Sequence, residues 1–282
     1  MFDLDVPVVP QTLPELQDAI NASIRRRMQL PADASPVTLT TQTVDIDVSD
    51  GSLRVDHNDR TTLTVPEIDG EVLHEVFAAE LTIKGEPLTL VDPEGVSVPT
   101  TIRAAGTDVV FGIGRALGGD GLAMVPTGGA ITATVTAPEA AMLALVETQA
   151  RKAAAEKGVT VTDVETRLST PTPQTVEIDG RMQGSKKVGF FNASFEITFE
   201  AVVRVEPGDD PSRDGLHGRI EHLELSGEGS ILSMMLGLLK PKIDELKRQP
   251  VALDSLLAAA GLAGTVVDAV RVDASGGQLS IY

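Results

Sequence analysis

Val188-Gly189-Phe190-Phe191-Asn192-Ala193-Ser194-Phe195-Glu196-Ile197-Thr198-Phe199-Glu200-Ala201-Val202-Val203-Arg204-Val205 alternates between apolar and polar residues along most of its length. A strand turns successive side chains to opposite faces, so Phe191, Ala193, Phe195, Ile197, Phe199, Ala201 and Val203 line one face of a single long strand. The next ten residues, Glu206-Pro207-Gly208-Asp209-Asp210-Pro211-Ser212-Arg213-Asp214-Gly215, carry the prolines and glycines of an exposed hairpin end. Residues 216–225 return as a second strand. Upstream, residues 159–168 and 175–178 are also strand-like, and the second half therefore reads as an antiparallel sheet with one apolar face.

The first half has the same grammar. Val44, Ile46 and Val48, then Leu53 and Val55, Leu63 and Val65, and Leu81 and Ile83 recur at period two. Asp50-Gly51, Asp69-Gly70 and Lys84-Gly85 separate these runs, which predicts an antiparallel meander between residues 37 and 90. Shorter strands are expected at 95–104, 108–111 and 130–136.

A helix introduces each half. Leu13, Leu16, Ile20, Ile24 and Met28 predict one over residues 13–28, with Thr12 as N-cap, Pro14 in the first turn and Glu15 at the third position of a capping box. Arg25, Arg26 and Arg27 then oppose the dipole at its end. The start signal Thr12-Leu13-Pro14-Glu15 recurs 124 residues later as Thr136-Ala137-Pro138-Glu139, and predicts a second helix over 138–157 that Gly158 stops. Shifting the first apolar stripe by the same 124 residues lands on Ala137, Ala140, Ala144, Thr148 and Lys152. The two helices thus present different faces, and the repeat is compatible both with an internal duplication and with coincidence.

Composition sets bounds on function. With 42% hydrophobic and 23% charged residues over 282 positions, the chain is globular, and with no Trp, one Tyr and seven Phe its interior is mainly aliphatic. A net charge of −18 gives the electrostatic term of nucleic-acid binding the wrong sign. It also opposes adsorption to anionic lipid surfaces, so membrane contact is expected to be transient at most. Cysteine is absent, which excludes disulfides and thiolate metal sites. No run of apolar residues is long enough for a membrane-spanning helix. Met1-Phe2-Asp3-Leu4-Asp5-Val6-Pro7 lacks the basic start of a signal peptide, so the expected location is the cytoplasm, or the cell envelope if a leader has been removed.

Candidate chemistry is sparse. Gly112-Ile113-Gly114-Arg115-Ala116-Leu117-Gly118 has glycines in the manner of a dinucleotide fingerprint, but no helix of useful length follows, and a glycine-rich rim loop is the better account. Asp209, Asp210 and Asp214 could offer oxygens to a cation, at a spacing that fits no known calcium loop. His217 and His222, five apart in a strand, are expected on opposite faces unless a bulge intervenes, and His57 and His74 lie in unrelated strands. No Gly-x-Ser-x-Gly elbow or defensible Ser/His/Asp set occurs. The reading is non-catalytic, with no cofactor and no metal.

Residues 230–246 differ in character from the rest. Ile231, Leu232, Met234, Met235, Leu236, Leu238 and Leu239 make a helix-like stretch apolar on nearly all sides, followed past Pro241 by Ile243 and Leu246. A further helix is expected over 253–262, and a closing hairpin around Gly276-Gly277. An all-apolar helix either packs in a core or lines a cavity, and adaptable methionines suit the second role.

This order of elements resembles the tubular lipid-binding (TULIP) superfamily, in its bacterial phospholipid-binding branch. The likeness is carried by strand 188–205, by Leu216-His217-Gly218-Arg219-Ile220-Glu221-His222-Leu223-Glu224-Leu225, by the apolar stretch 231–246, and by the ending Val270-Arg271-Val272-Asp273-Ala274-Ser275-Gly276-Gly277-Gln278-Leu279-Ser280-Ile281. It covers mainly residues 130–282 and rests on element order and apolar spacing, without a diagnostic motif. Members of that branch usually carry an export signal, from which this N-terminus departs. The expected fold is α+β: curved antiparallel β-meanders wrapped around long helices in two helix-then-sheet halves, 1–129 and 130–282, or one continuous domain. The resemblance implies non-catalytic binding or transfer of a lipid or other apolar molecule in a groove between helix and curved sheet. Its expected lining is Ile231, Met234, Met235, Leu238 and Leu239 facing Phe191, Phe195, Ile197 and Phe199. The rival reading is a structural or interaction protein with a filled core, joining an assembly through a strand edge or its acidic face.

Overall fold

A computed structural model of the chain describes residues 2–4, 6–54, 68–91, 95–117, 120–156, 158–188, 191–207, 216–229, 251–252 and 269–282. Among these residues strands make up 64% and helices 15%. The α+β expectation, curved antiparallel meanders around long helices, is therefore overturned: the protein is mostly β, with described helices of 15 and 18 residues. The stretches 230–246 and 253–262, expected to be helical, lie outside the described residues.

The first sheet holds β1 (Phe2–Asp3), β2 (Val37–Leu39), β3 (Thr43–Asp47), β4 (Ser52–Arg54), β5 (His74–Val91), β6 (Ser97–Arg115) and β7 (Leu122–Pro138). Two strands from the end of the chain, β13 (Val272–Ser275) and β14 (Gln278–Ile281), complete it through β14 on β7. The second sheet runs β12-β11-β10-β9-β8, from β8 (Val159–Thr172), β9 (Thr175–Val188), β10 (Phe191–Pro207), β11 (Leu216–Gly229) and β12 (Val251–Ala252). Helix α1 (Leu13–Arg27) precedes β2, and α2 (Glu139–Glu156) links the sheets. Residue 130 lies within β7.

Two physical reasons separate this architecture from the meander read in the sequence. First, several glycines read as turn or loop residues sit inside strands: β5 runs through Gly85, and β6 through Gly112 and Gly114. A Cβ on Gly112 would lie 2.9 Å from Val72 Cγ2, and one on Gly114 would overlap Ile68, so these positions make room for side chains crossing the strand. The supposed rim loop at 112–115 is the end of β6. Second, β3 and β4 both pair with β5 in parallel, which makes the sheet mixed. A parallel neighbour needs a crossover, which a turn dipeptide does not announce.

The start of α1 follows its sequence signal. Thr12 is extended at φ −130°, and its Oγ1 accepts from Glu15 N at 3.4 Å. Glu15 Oε2 reaches past the cap to accept from Gln11 N at 2.8 Å. Leu16, Ile20 and Ile24 bury one stripe against Val37, Val44, Ile46, Leu81, Ile83 and Ile102 in a continuous core. Arg25 Nη1 donates to Ala32 O and Ala34 O, closing the loop beyond the helix rather than standing in solvent.

Two amide side chains of α1 also cover the open edge of β2. Val37 N donates to Asn21 Oδ1 and Leu39 N to Gln17 Oε1, both at 2.9 Å. The four helical residues from Gln17 to Asn21 advance about 6 Å and two strand residues about 6.6 Å, so the two amides meet alternate N–H groups as a neighbouring strand would.

The second Thr-x-Pro-Glu copy is built differently. Thr136 lies within β7, where its Oγ1 meets Ser280 Oγ at 2.9 Å, and α2 begins at Glu139 with its N–H on Gly277 O. One copy is a helix cap and the other a strand end seated on the terminal hairpin. That hairpin also ties the two sheets together: Val272 N donates to Pro173 O, Ala274 N donates to Thr170 Oγ1, and Val270 and Val272 pack with Val176, Val205 and Leu216.

Candidate functional site

The alternating residues 191–205 form the centre of the second sheet. Strand β10 pairs with β9 on one side and β11 on the other, and its odd-numbered residues form rows with theirs: Phe195 with Gly184, Ile197 with Met182, Phe199 with Gly180 and Leu225, Ala201 with Ile178 and Leu223. The two phenylalanines face two glycines at the same four-residue spacing. A Cβ on Gly184 would come within 2.7 Å of the Phe195 ring, and one on Gly180 would overlap the ring of Phe199. The rings therefore lie down across the neighbouring strand instead of standing off the sheet.

Two bulges keep this face apolar where sequence parity breaks. In β8 the register shifts between Val161 and Asp163, so Val161 aligns with Gly184 and Val164 with Met182. In β11 Glu221 is the extra residue, which brings Ile220 opposite Val203 and Leu223 opposite Ala201. The same bulge corrects the histidine geometry. His217 lies opposite Glu206 and His222 opposite Val202, positions of equal parity, so both occupy the charged face, about 13 Å apart along the strand.

The opposite face is a ladder of ions. Arg181 lies 3.3 Å from Glu165 and 3.7 Å from Glu196, and Arg219 lies 3.1 Å from Glu206. Arg204 reaches both Glu206 and Glu221 at 3.4 Å. These half-exposed pairs suit a solvated surface, where each contributes little.

Of the expected lining residues, Phe195 and Ile197 are buried together with Ala154 of α2 and Val159. Phe199 shares their face and is half-buried over Gly180. The backbone of Phe191 pairs with Val188 at the start of β10. Ile231, Met234, Met235, Leu238 and Leu239 lie outside the described residues, as do His57, Asp209, Asp210 and Asp214. Met182 and Leu225, both packed against the Phe195 cluster, are residues that the sequence reading missed. The signal for Met182 was present as Gly180-x-x-x-Gly184 across a hairpin from Phe195-x-x-x-Phe199.

The apolar face is covered at both ends. At one end α2 supplies Ala154, and at the other the terminal hairpin supplies Val270 and Val272. Between them Met182, Phe199, Ala201, Ile178, Leu223 and Leu225 are half-buried. In the first sheet the continuous core around Phe2, Ile83 and Phe111 is fully buried, with a cavity of about 10 Å³ beside those residues. A second concavity, an open groove of about 550 Å³, lies between α1 and the segment Val6-Pro7-Val8-Val9-Pro10, with Glu15, Asp18 and Arg26 on its rim.

Among the described residues no three His, Asp or Glu side chains are grouped to hold a metal ion, and no helix is long and apolar enough to cross a membrane. Comparison with protein-family models, with curated proteins and with solved structures finds no match to this chain.

Proposed function

We propose that the second sheet binds a lipid or comparable apolar molecule along its apolar face, without catalysis. The observation that supports this is the half-buried middle of that face, between the end covered by α2 and the end covered by the terminal hairpin. The apolar stretch 231–239, which follows β11 in the sequence, supplies the complementary wall in this reading. About ten methylenes of an acyl chain, at about 0.8 kcal/mol each, release about 8 kcal/mol before the cost of ordering the ligand. A chain without Trp and with only seven Phe, whose core is therefore largely aliphatic, also suits a flexible aliphatic guest.

Native mass spectrometry of the purified protein, with a fluorescent fatty-acid titration, tests the proposal. Co-purifying lipid and saturable uptake are expected. Phe199→Asp and Met235→Asp should each abolish uptake while leaving the circular dichroism spectrum unchanged. Ligand-free protein in repeated preparations, together with no saturable uptake, overturns the reading.

A further inference from the structure

Among the described residues, β8 pairs with β9 and with no strand on its other side. Other elements reach it by hydrogen bonds near its ends, where Arg151 Nη1 donates to Val161 O at 2.8 Å and β13 meets Thr170 and Pro173. Between its two register shifts runs a regular stretch, Asp163-Val164-Glu165-Thr166-Arg167-Leu168-Ser169. Open strand edges recruit other strands unless something blunts them. The first sheet has such a device in Gln17 and Asn21, which occupy the edge of β2. On β8 the blunting charges are themselves arranged to pair.

We propose that a second copy of this chain adds to the β8 edge, antiparallel, about a two-fold axis at Thr166. In that register Glu165 of each copy faces Arg167 of the other on the charged side of the sheet. On the apolar side Val164 faces Leu168, so the apolar face continues across the junction. The neighbouring symmetric registers fail. Centring on residue 165 places Glu165 against Glu165, and centring on 167 places Arg167 against Arg167, and like charges directly opposite destabilise a strand pair. Intermediate registers put apolar residues against charged ones across the pleat.

Arg167 is available for this pairing: it is exposed, and although Asp179 lies opposite it in β9, no ion pair joins them. Glu165 is also exposed, with its contact to Arg181 on the same charged face. The five described strands of the second sheet become ten across the two-fold. The proposal does not depend on ligand uptake.

Sedimentation equilibrium of the full chain at micromolar concentration tests it. Salt should be physiological, because a charge of −18 on each copy opposes association when unscreened. The expected mass is twice 29.6 kDa. Arg167→Glu turns two attractive pairs into repulsive ones and should weaken association by about tenfold or more, with the circular dichroism spectrum of the folded chain unchanged. The exchange Glu165→Arg with Arg167→Glu restores opposite charges and should restore the dimer. A wild-type chain that stays monomeric, or an Arg167→Glu variant that dimerises as well as wild type, overturns the proposal, as does a double exchange that remains monomeric.

Discussion

Replacing Asn21 with alanine tests whether α1 acts as a surrogate strand for β2. Asn21 is only 4% exposed and Val37 only 1%, so truncating the amide leaves the Val37 N–H buried with no acceptor in reach. Such an orphan costs about 1–3 kcal/mol. Gln17 makes the same bond one turn away, to Leu39, which is half-buried. Water can replace the lost acceptor there, so Gln17→Ala should cost about 0.5 kcal/mol or less. A loss of about 2 kcal/mol confined to the β2 edge corresponds to about thirtyfold faster exchange of the Val37 amide through local opening. Hydrogen-exchange mass spectrometry on a peptide spanning residues 36–40 measures this, with Asn21→Asp as a control that keeps an acceptor. Unchanged Val37 exchange in Asn21→Ala, or equal effects of the two truncations, would refute the surrogate-strand account.

Gly184→Ala places a methyl group 2.6 Å from Thr160 O and 2.7 Å from the Phe195 ring, and the rigid carbonyl cannot yield. A loss of about 1–3 kcal/mol in urea denaturation is expected, and a neutral result would mean that the ring is not seated on the neighbouring strand. For Asp47, burial alone would raise the carboxyl pKa, but hydrogen bonds from the Ser49 side chain and N–H, together with the Lys84 ammonium at 3.5 Å, hold it below the ordinary value. A depressed folded pKa stabilises above the unfolded value of about 4, and the contribution fades as pH falls through the lower folded value. Asp47→Asn should therefore be less stable than wild type at neutral pH and converge with it in acid, and a difference independent of pH would contradict this assignment. Both side chains are about half exposed, 50% and 54%, which limits the effect to about 0.5 kcal/mol.

Local signals were legible and long-range ones were not. Thr12, Pro14 and Glu15 place the start of α1, because capping is settled within four residues. The parity of Phe195, Ile197 and Phe199 likewise places them on one face of β10, because period two needs no partner strand. The faces of β8 and β11 could not be read this way. A bulge at Thr162 or Glu221 reverses parity in response to the neighbouring strand, and nothing local in the sequence marks it. Glycine misled for a related reason. Gly85 and Gly112 carry the composition of turns, yet their missing Cβ accommodates Val48 and Val72, residues distant along the chain. Of the candidate face, the Phe195 and Ile197 pair was visible in the sequence, while Met182 and Leu225 became visible only once the registers were known.

The terminal hairpin carries a consequence for the covalent continuity of the molecule. Residues 278–281 pair with 135–138, and Val270 and Val272 sit in the core of the second sheet, although the chain reaches the hairpin only after passing through β8 to β12. A single cleavage between β11 and β13 would then produce two fragments that remain bound through native contacts. The hairpin is in effect a peptide held in its own receptor, and a β13–β14 peptide added to a chain that lacks it should rebind there.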